Sequence, residues 1–162
     1  MRYTRALSEK KVNGQKCLSV MSLLKLKFPS ELKNVKEVST KVLDSLKDLK
    51  LDSLTLSDIR LSFEEAFINA VKYGNKGDNR LSIDVEIIKH RDAVEIIVRD
   101  QGNGFDYKHL EDPREEKNLT KTSGRGVFLI RNLMDEVTFE DNGRSLRMKK
   151  IIKRGGKDAN NV

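Results

Sequence analysis

Between Leu32 and Val98 the apolar residues of this chain change period, and that change fixes the class of fold open to it. Leu32, Val35, Val38, Val42, Leu46 and Leu49 recur at spacings of three and four, which puts them on one face of a helix. The pattern predicts a helix over roughly 31–50, with Ser30, just after Pro29, placed to cap it. Asp52 or Ser53 opens a second helix whose buried stripe is Leu56, Ile59, Phe63, Ala66 and Ala70. Gly74 and the turn-rich NKGDN stretch at 75–79 end it. The period then falls to two. Ile83, Val85 and Ile87 line one strand and Val94, Ile96 and Val98 a second, with the polar KHRD segment at 89–92 as the turn between them.

The rest of the chain extends the same plan. Leu24, Leu26 and Phe28 alternate with Lys25 and Lys27, a half-buried strand before the helices. A third helix is predicted over about 125–134. Val137 and Phe139, then Leu146 and Met148, flank an Asn142-Gly143 pair, a strong hairpin signal. Residues 107–123 are charged and nearly without apolar anchors, a long loop of the kind that is functional or disordered in compact domains. The order strand, two helices, two strands, helix, two strands predicts an α/β (α+β) two-layer sandwich. Its sheet is mainly antiparallel and its helices lie on one face.

At 162 residues one such domain has a sizeable core. No apolar run approaches the roughly 20 residues that span a bilayer, and the basic N-terminus lacks the apolar centre of a secretory signal. A single cysteine, Cys17, excludes an internal disulfide, and a cytoplasmic location is expected. The net charge of +7 suggests nucleic acid, but its distribution does not. Residues 1–27 hold seven Lys or Arg against one Glu, and 147–162 hold six against one Asp, which leaves the body between them at −4. The reading is a basic tail over 1–17, one domain over 18–152 and a basic tail over 153–162, without direct nucleic-acid or membrane binding.

Three places could carry chemistry. Glu65 and Asn69 stand at i and i+4, so they project from one side of the second helix. They are either a solvated polar face or a site. As a site, Asn69 gives an oxygen to a divalent cation such as Mg2+, which takes hard oxygen ligands and keeps several waters. Glu65, one turn away, orients or deprotonates a hydroxyl. Asp100 ends an apolar strand and is followed by Gly102 and Gly104. This is either a tight turn or a carboxylate that accepts from the exocyclic amine of adenine, with glycines that let backbone approach the base. Gly124 and Gly126 precede the third helix, whose first amides can donate to phosphate oxygens. The Gly-Lys-Ser/Thr ending of a P-loop is absent, as is a three-glycine Rossmann turn after the first strand. His90 in the hairpin turn, His109 in the long loop and Cys17 do not make a zinc site. Phe105 and Phe128 read as packing beside the pocket, since a chain without Trp offers little stacking surface.

Taken together, EEAFINAVKYGN at 64–75, DQGNGFD at 100–106 and SGRGVFLIRNLMDEV at 123–137 resemble the N box and two glycine boxes of the GHKL (Bergerat-fold) ATPase superfamily. Within it the chain is similar to the anti-sigma-factor serine/threonine kinases over about 20–152. The resemblance implies ATP and Mg2+ as cofactors, Glu65 as general base, and Asn69 as magnesium ligand. It implies Asp100 as the adenine-reading aspartate, with Gly102, Gly104 and Phe105 beside it. Lys121, Thr122, Ser123, Gly124, Arg125, Gly126 and Val127 become the phosphate-binding turn, and 107–123 the lid. Tyr73 borders the nucleotide where many relatives carry histidine. Thr122 stands where some carry an arginine, with Lys121 and Arg125 as neighbouring cations. The implied function is a partner-switching kinase, as relatives often are a homodimer. It phosphorylates a serine or threonine of a STAS-type anti-sigma-factor antagonist and otherwise holds a sigma factor inactive. Thr122 keeps a second reading open: a nucleotide-binding module that regulates by sequestration alone.

Overall fold

The computed structural model describes residues 3–4, 20–104 and 125–152. The expectations for Cys17, Phe105, His109, Lys121, Thr122, Ser123 and Gly124, for the lid at 107–123 and for the C-terminal tail lie outside these residues. So does most of the N-terminal tail.

The strands are β1 (Tyr3–Thr4), β2 (Val20–Pro29), β3 (Ser82–His90), β4 (Ala93–Arg99), β5 (Glu136–Glu140) and β6 (Ser145–Ile151). They form one sheet in the order β1-β2-β3-β4-β6-β5, with every pairing antiparallel. The helices are α1 (Val35–Ser45), α2 (Ser53–Asn69) and α3 (Arg125–Leu133). Val38, Val42 and Leu46, Ile59, Phe63 and Phe67, and Ile130 meet Ile83, Val85, Ile87, Val94, Ile96 and Met148 in one buried cluster. All three helices therefore cover the same face of the sheet, the two-layer sandwich that the change of period predicts. The other face is tied across strands by ion pairs, among them Lys25–Glu86 at 3.0 Å and Arg147–Glu95 at 2.8 Å. No helix among the described residues is long and apolar enough to cross a membrane.

Several boundaries differ from the sequence reading, each for a local reason. The first helical segment is not continuous over 31–50. 3-10 turns at Leu32–Asn34 and Lys47–Leu49 bracket α1, and Lys50 closes the second in a left-handed conformation, φ 50°. The apolar spacing suits both helix types, because i and i+3 share a face in each. Ser30 does not cap the segment. It is buried, and its N–H donates to the Leu81 carbonyl at 3.1 Å. Asp52, by contrast, does cap α2: Oδ1 accepts from Thr55 N at 2.9 Å and Oδ2 from Thr55 Oγ1 at 2.7 Å. The KHRD turn shrinks to Arg91-Asp92. Lys89 and His90 belong to β3 and are buried, with His90 Nε2 2.9 Å from Glu95 Oε1.

At its far end α2 widens. Ala70–Gly74 form a π-turn, closed by Asn75 N donating to the Ala70 carbonyl at 2.8 Å, five residues back. Such single π-turns gather at functional sites. Lys150 on β6 fastens the layers behind it, donating to Asp58 of α2 at 2.8 Å and to the Leu133 carbonyl of α3 at 2.6 Å.

Candidate functional site

The fold brings the end of α2, the start of α3 and the turns after β4 and before β6 around one cavity of about 680 Å3. From α2 and its π-turn it is lined by Glu65, Asn69, Lys72, Tyr73 and Gly74, and from α3 by Arg125, Gly126 and Val127. Asp100 enters from the end of β4 and Arg144 from the start of β6. The floor is apolar. Val98 pairs with Leu146, and Leu146 with Phe139, so three side chains on neighbouring strands stand in a row. An apolar floor with a few converging polar groups is the usual construction of a small-ligand site.

Glu65, Asn69 and Gly126 meet directly. A Cβ on Gly126 would lie 2.7 Å from Glu65 Oε2 and 3.2 Å from Asn69 Nδ2. The one-turn spacing on α2 puts the carboxylate and the carboxamide side by side. Glycine at the start of α3 then lets the second helix close onto them. The start of α3, where a helix presents backbone N–H groups, lies beside this pair. Such a group of donors and oxygens could hold an anion together with a divalent cation.

Asp100 is largely buried, and its Oδ1 accepts from Gly102 N at 2.8 Å. Burial raises its pKa above the ordinary aspartate value. The Gly102 N–H and the positive charge of Arg144 pull in the opposite direction without cancelling the shift. Its own N–H donates to the Arg144 carbonyl at 2.9 Å, which pins the end of β4 to β6. The two glycines after it have protein neighbours where the sequence reading placed ligand. A Cβ on Gly102 would overlap the Gly74 carbonyl oxygen. One on Gly104, at φ 77°, would overlap the Asn142 carbonyl oxygen. Close backbone approach is the reason for both residues, but the partner is the chain itself.

Of the residues singled out from the sequence, the structure brings together Glu65, Asn69, Tyr73, Asp100, Arg125, Gly126 and Val127. Tyr73 is half exposed at the cavity mouth. The sequence reading missed the floor of Val98, Phe139 and Leu146, and also Lys72, Gly74 and Arg144. Period two gives a signal for Val98, which stands two residues before Asp100 on the same face. Arg144 has no local signal, since its place depends on β6 pairing with β4.

The model of the histidine kinase-like ATPase domain family matches residues 28–150. The serine-protein kinase RsbW of Staphylococcus aureus strain MSSA476 is 34% identical to the chain over 109 residues, 61% of this chain and 67% of that protein. The proteins of the same name from strains MW2 and JH9 match to the same extent.

Proposed function

As the chain belongs to the histidine kinase-like ATPase domain family, we propose that it is a protein serine/threonine kinase using Mg-ATP. Its proposed substrate is a serine or threonine of a STAS-type anti-sigma-factor antagonist. The observation that carries this reading is the meeting of Glu65, Asn69 and Gly126 in a cavity that also holds Asp100.

The residues divide the work. The Asp100 carboxylate accepts from the exocyclic amine of adenine over the apolar floor of Val98, Leu146 and Phe139. The first amides of α3 donate to phosphate oxygens. Asn69 offers one neutral oxygen, which suits a cation that keeps most of its waters. Asn69 would hold magnesium, which would supply positive charge to offset that of the phosphates. Glu65 holds the incoming hydroxyl and takes its proton on a carboxylate oxygen. Little covalent chemistry falls to the protein, so positioning and charge account for most of the rate.

The biological setting follows from the sequence resemblance. In one state the protein sequesters a sigma factor. In the other it phosphorylates the antagonist, whose added negative charge weakens its hold on the mildly acidic body. The working form is a cytoplasmic homodimer. Thr122, at a position where some relatives carry arginine, supports the second reading, in which the pocket binds nucleotide and regulation is by sequestration alone. Incubation with γ-labelled ATP and a STAS-type antagonist separates the two. Label on an antagonist serine or threonine supports the kinase. Tight ATP binding with an unlabelled antagonist supports the sequestering module.

A further inference from the structure

We propose that Gly74 is a positioning residue that sets the base specificity of the pocket by fixing where Asp100 can place its outer carboxylate oxygen. The proposal rests on the reading of Asp100 as the group that meets the adenine amine.

Asp100 Oδ1 is engaged by the Gly102 N–H at 2.8 Å. The rest of the group lies over Gly74. A Cβ at position 74 would overlap Asp100 Cγ and Oδ2, and would stand 2.8 Å from Asp100 Cβ. Gly74 is not among the glycines with a left-handed backbone, which among the described residues are Gly77, Gly104 and Gly143. An alanine at 74 would therefore meet no backbone strain. Glycine is required there for the space above it, and that space is filled by Asp100.

Neighbouring contacts make the seat rigid. The π-turn Ala70–Gly74 brings the Gly74 carbonyl against Gly102, where a Cβ would overlap it. Asn75, buried next to Gly74, ties Gln101, the residue after Asp100, to Ser82 at the start of β3. Its Oδ1 accepts from Gln101 N at 2.8 Å and its Nδ2 donates to the Ser82 carbonyl at 3.1 Å. Gln101 completes the ring, its Oε1 accepting from Ser82 N at 2.8 Å. The turn after β4 thus cannot slide away from the end of α2. A methyl group at 74 moves the carboxylate, because the backbone on both sides is held.

The carboxylate needs this precision to tell an amine from a carbonyl. A 6-amino purine donates to Oδ2. A 6-oxo purine presents an acceptor to an acceptor and leaves the buried charge without a partner. With Asp100 seated, ATP should outbind ITP, which carries the same triphosphate, by about 10-fold or more. With the seat altered, that preference should disappear.

The experiment measures ATP and ITP dissociation constants and thermal midpoints for the full chain, Gly74→Ala, Asp100→Gly and the double variant. The expected result is an ATP:ITP preference in the parent that falls to about one in Gly74→Ala. In the Asp100→Gly background, Gly74→Ala should change neither ITP affinity nor the midpoint, because the overlapping group is gone. If Gly74→Ala alone does not fold, recovery of the fold in the double variant supports the proposal. Failure of the double variant as well, with Asp100→Gly folded, overturns it. A Gly74→Ala protein that keeps the parent's ATP:ITP ratio also overturns it. A parent without any preference for ATP refutes the reading of Asp100 itself.

Discussion

Glu65 and Gly126 lie against each other across the α2–α3 junction, so closely that a methyl group on Gly126 would come within 2.7 Å of Glu65 Oε2. The glycine at the start of α3 is therefore part of the geometry of the carboxylate on α2. A Gly126→Ala substitution meets the far end of a flexible side chain, which moves aside more cheaply than the helix does. Phosphoryl transfer should fall by about 10-fold or more through this displacement, since small misplacements cost that much. Circular dichroism and the thermal midpoint should stay near those of the parent. Unchanged turnover would mean that the contact does not set the position of Glu65 in the working state.

Asn69→Ala tests the proposed cation ligand separately from the proposed base. The gain in ATP affinity on adding Mg2+ should shrink by about 10-fold or more. Affinity measured in excess EDTA should be little changed. Calorimetric titrations with and without Mg2+ make the comparison. An undiminished magnesium effect would place the ligand elsewhere.

The raised pKa of Asp100 gives a pH signature with a definite sign. A carboxyl group whose folded pKa lies above its unfolded value adds stability at low pH, and this is lost as pH rises through the folded value. In the proposed role of Asp100 binding runs the other way, because the adenine amine requires the charged carboxylate. ATP affinity relative to ITP should therefore climb as pH rises from about 4 toward neutrality, through a window above the usual aspartate range. ITP carries the same triphosphate and corrects for its titration. A flat ATP:ITP ratio across that window would count against Asp100 as the acceptor.

Asp52 offers the opposite kind of test. It caps α2 with two bonds to Thr55 at the end of the helix away from Glu65 and Asn69. Asp52→Ala should lower the midpoint by about 2–4 °C, with ATP affinity unchanged. Lost affinity would show that the frame of α2 and the site are coupled more tightly than their separation suggests.

The sequence made the layers legible because helix and strand periods differ, and Val38, Val42, Ile59, Phe63, Ile83 and Val85 obey them strictly. It made Glu65, Asn69, Asp100 and Gly126 legible through spacing and punctuation. Ser30 misled because a serine before an apolar run looks like a cap whether or not its side chain faces the helix start. The 3-10 turns were hidden because i and i+3 share a face in both helix types. The π-turn at Ala70–Gly74 and the seat it gives Asp100 were not legible, since both depend on β4 ending beside α2. Arg144 and the row of Val98, Leu146 and Phe139 required the sheet order, which no local pattern encodes.

Glu65 is proposed to serve the incoming hydroxyl as this cavity transfers phosphate. Single-turnover transfer from γ-labelled ATP to the antagonist, compared between the parent and Glu65→Gln, tests it most directly. The expected result is labelled serine or threonine with the parent and, with Glu65→Gln, a rate lower by about 10²-fold or more at equal ATP affinity. Equal rates in the two proteins, or no label with the parent at saturating ATP, would contradict it.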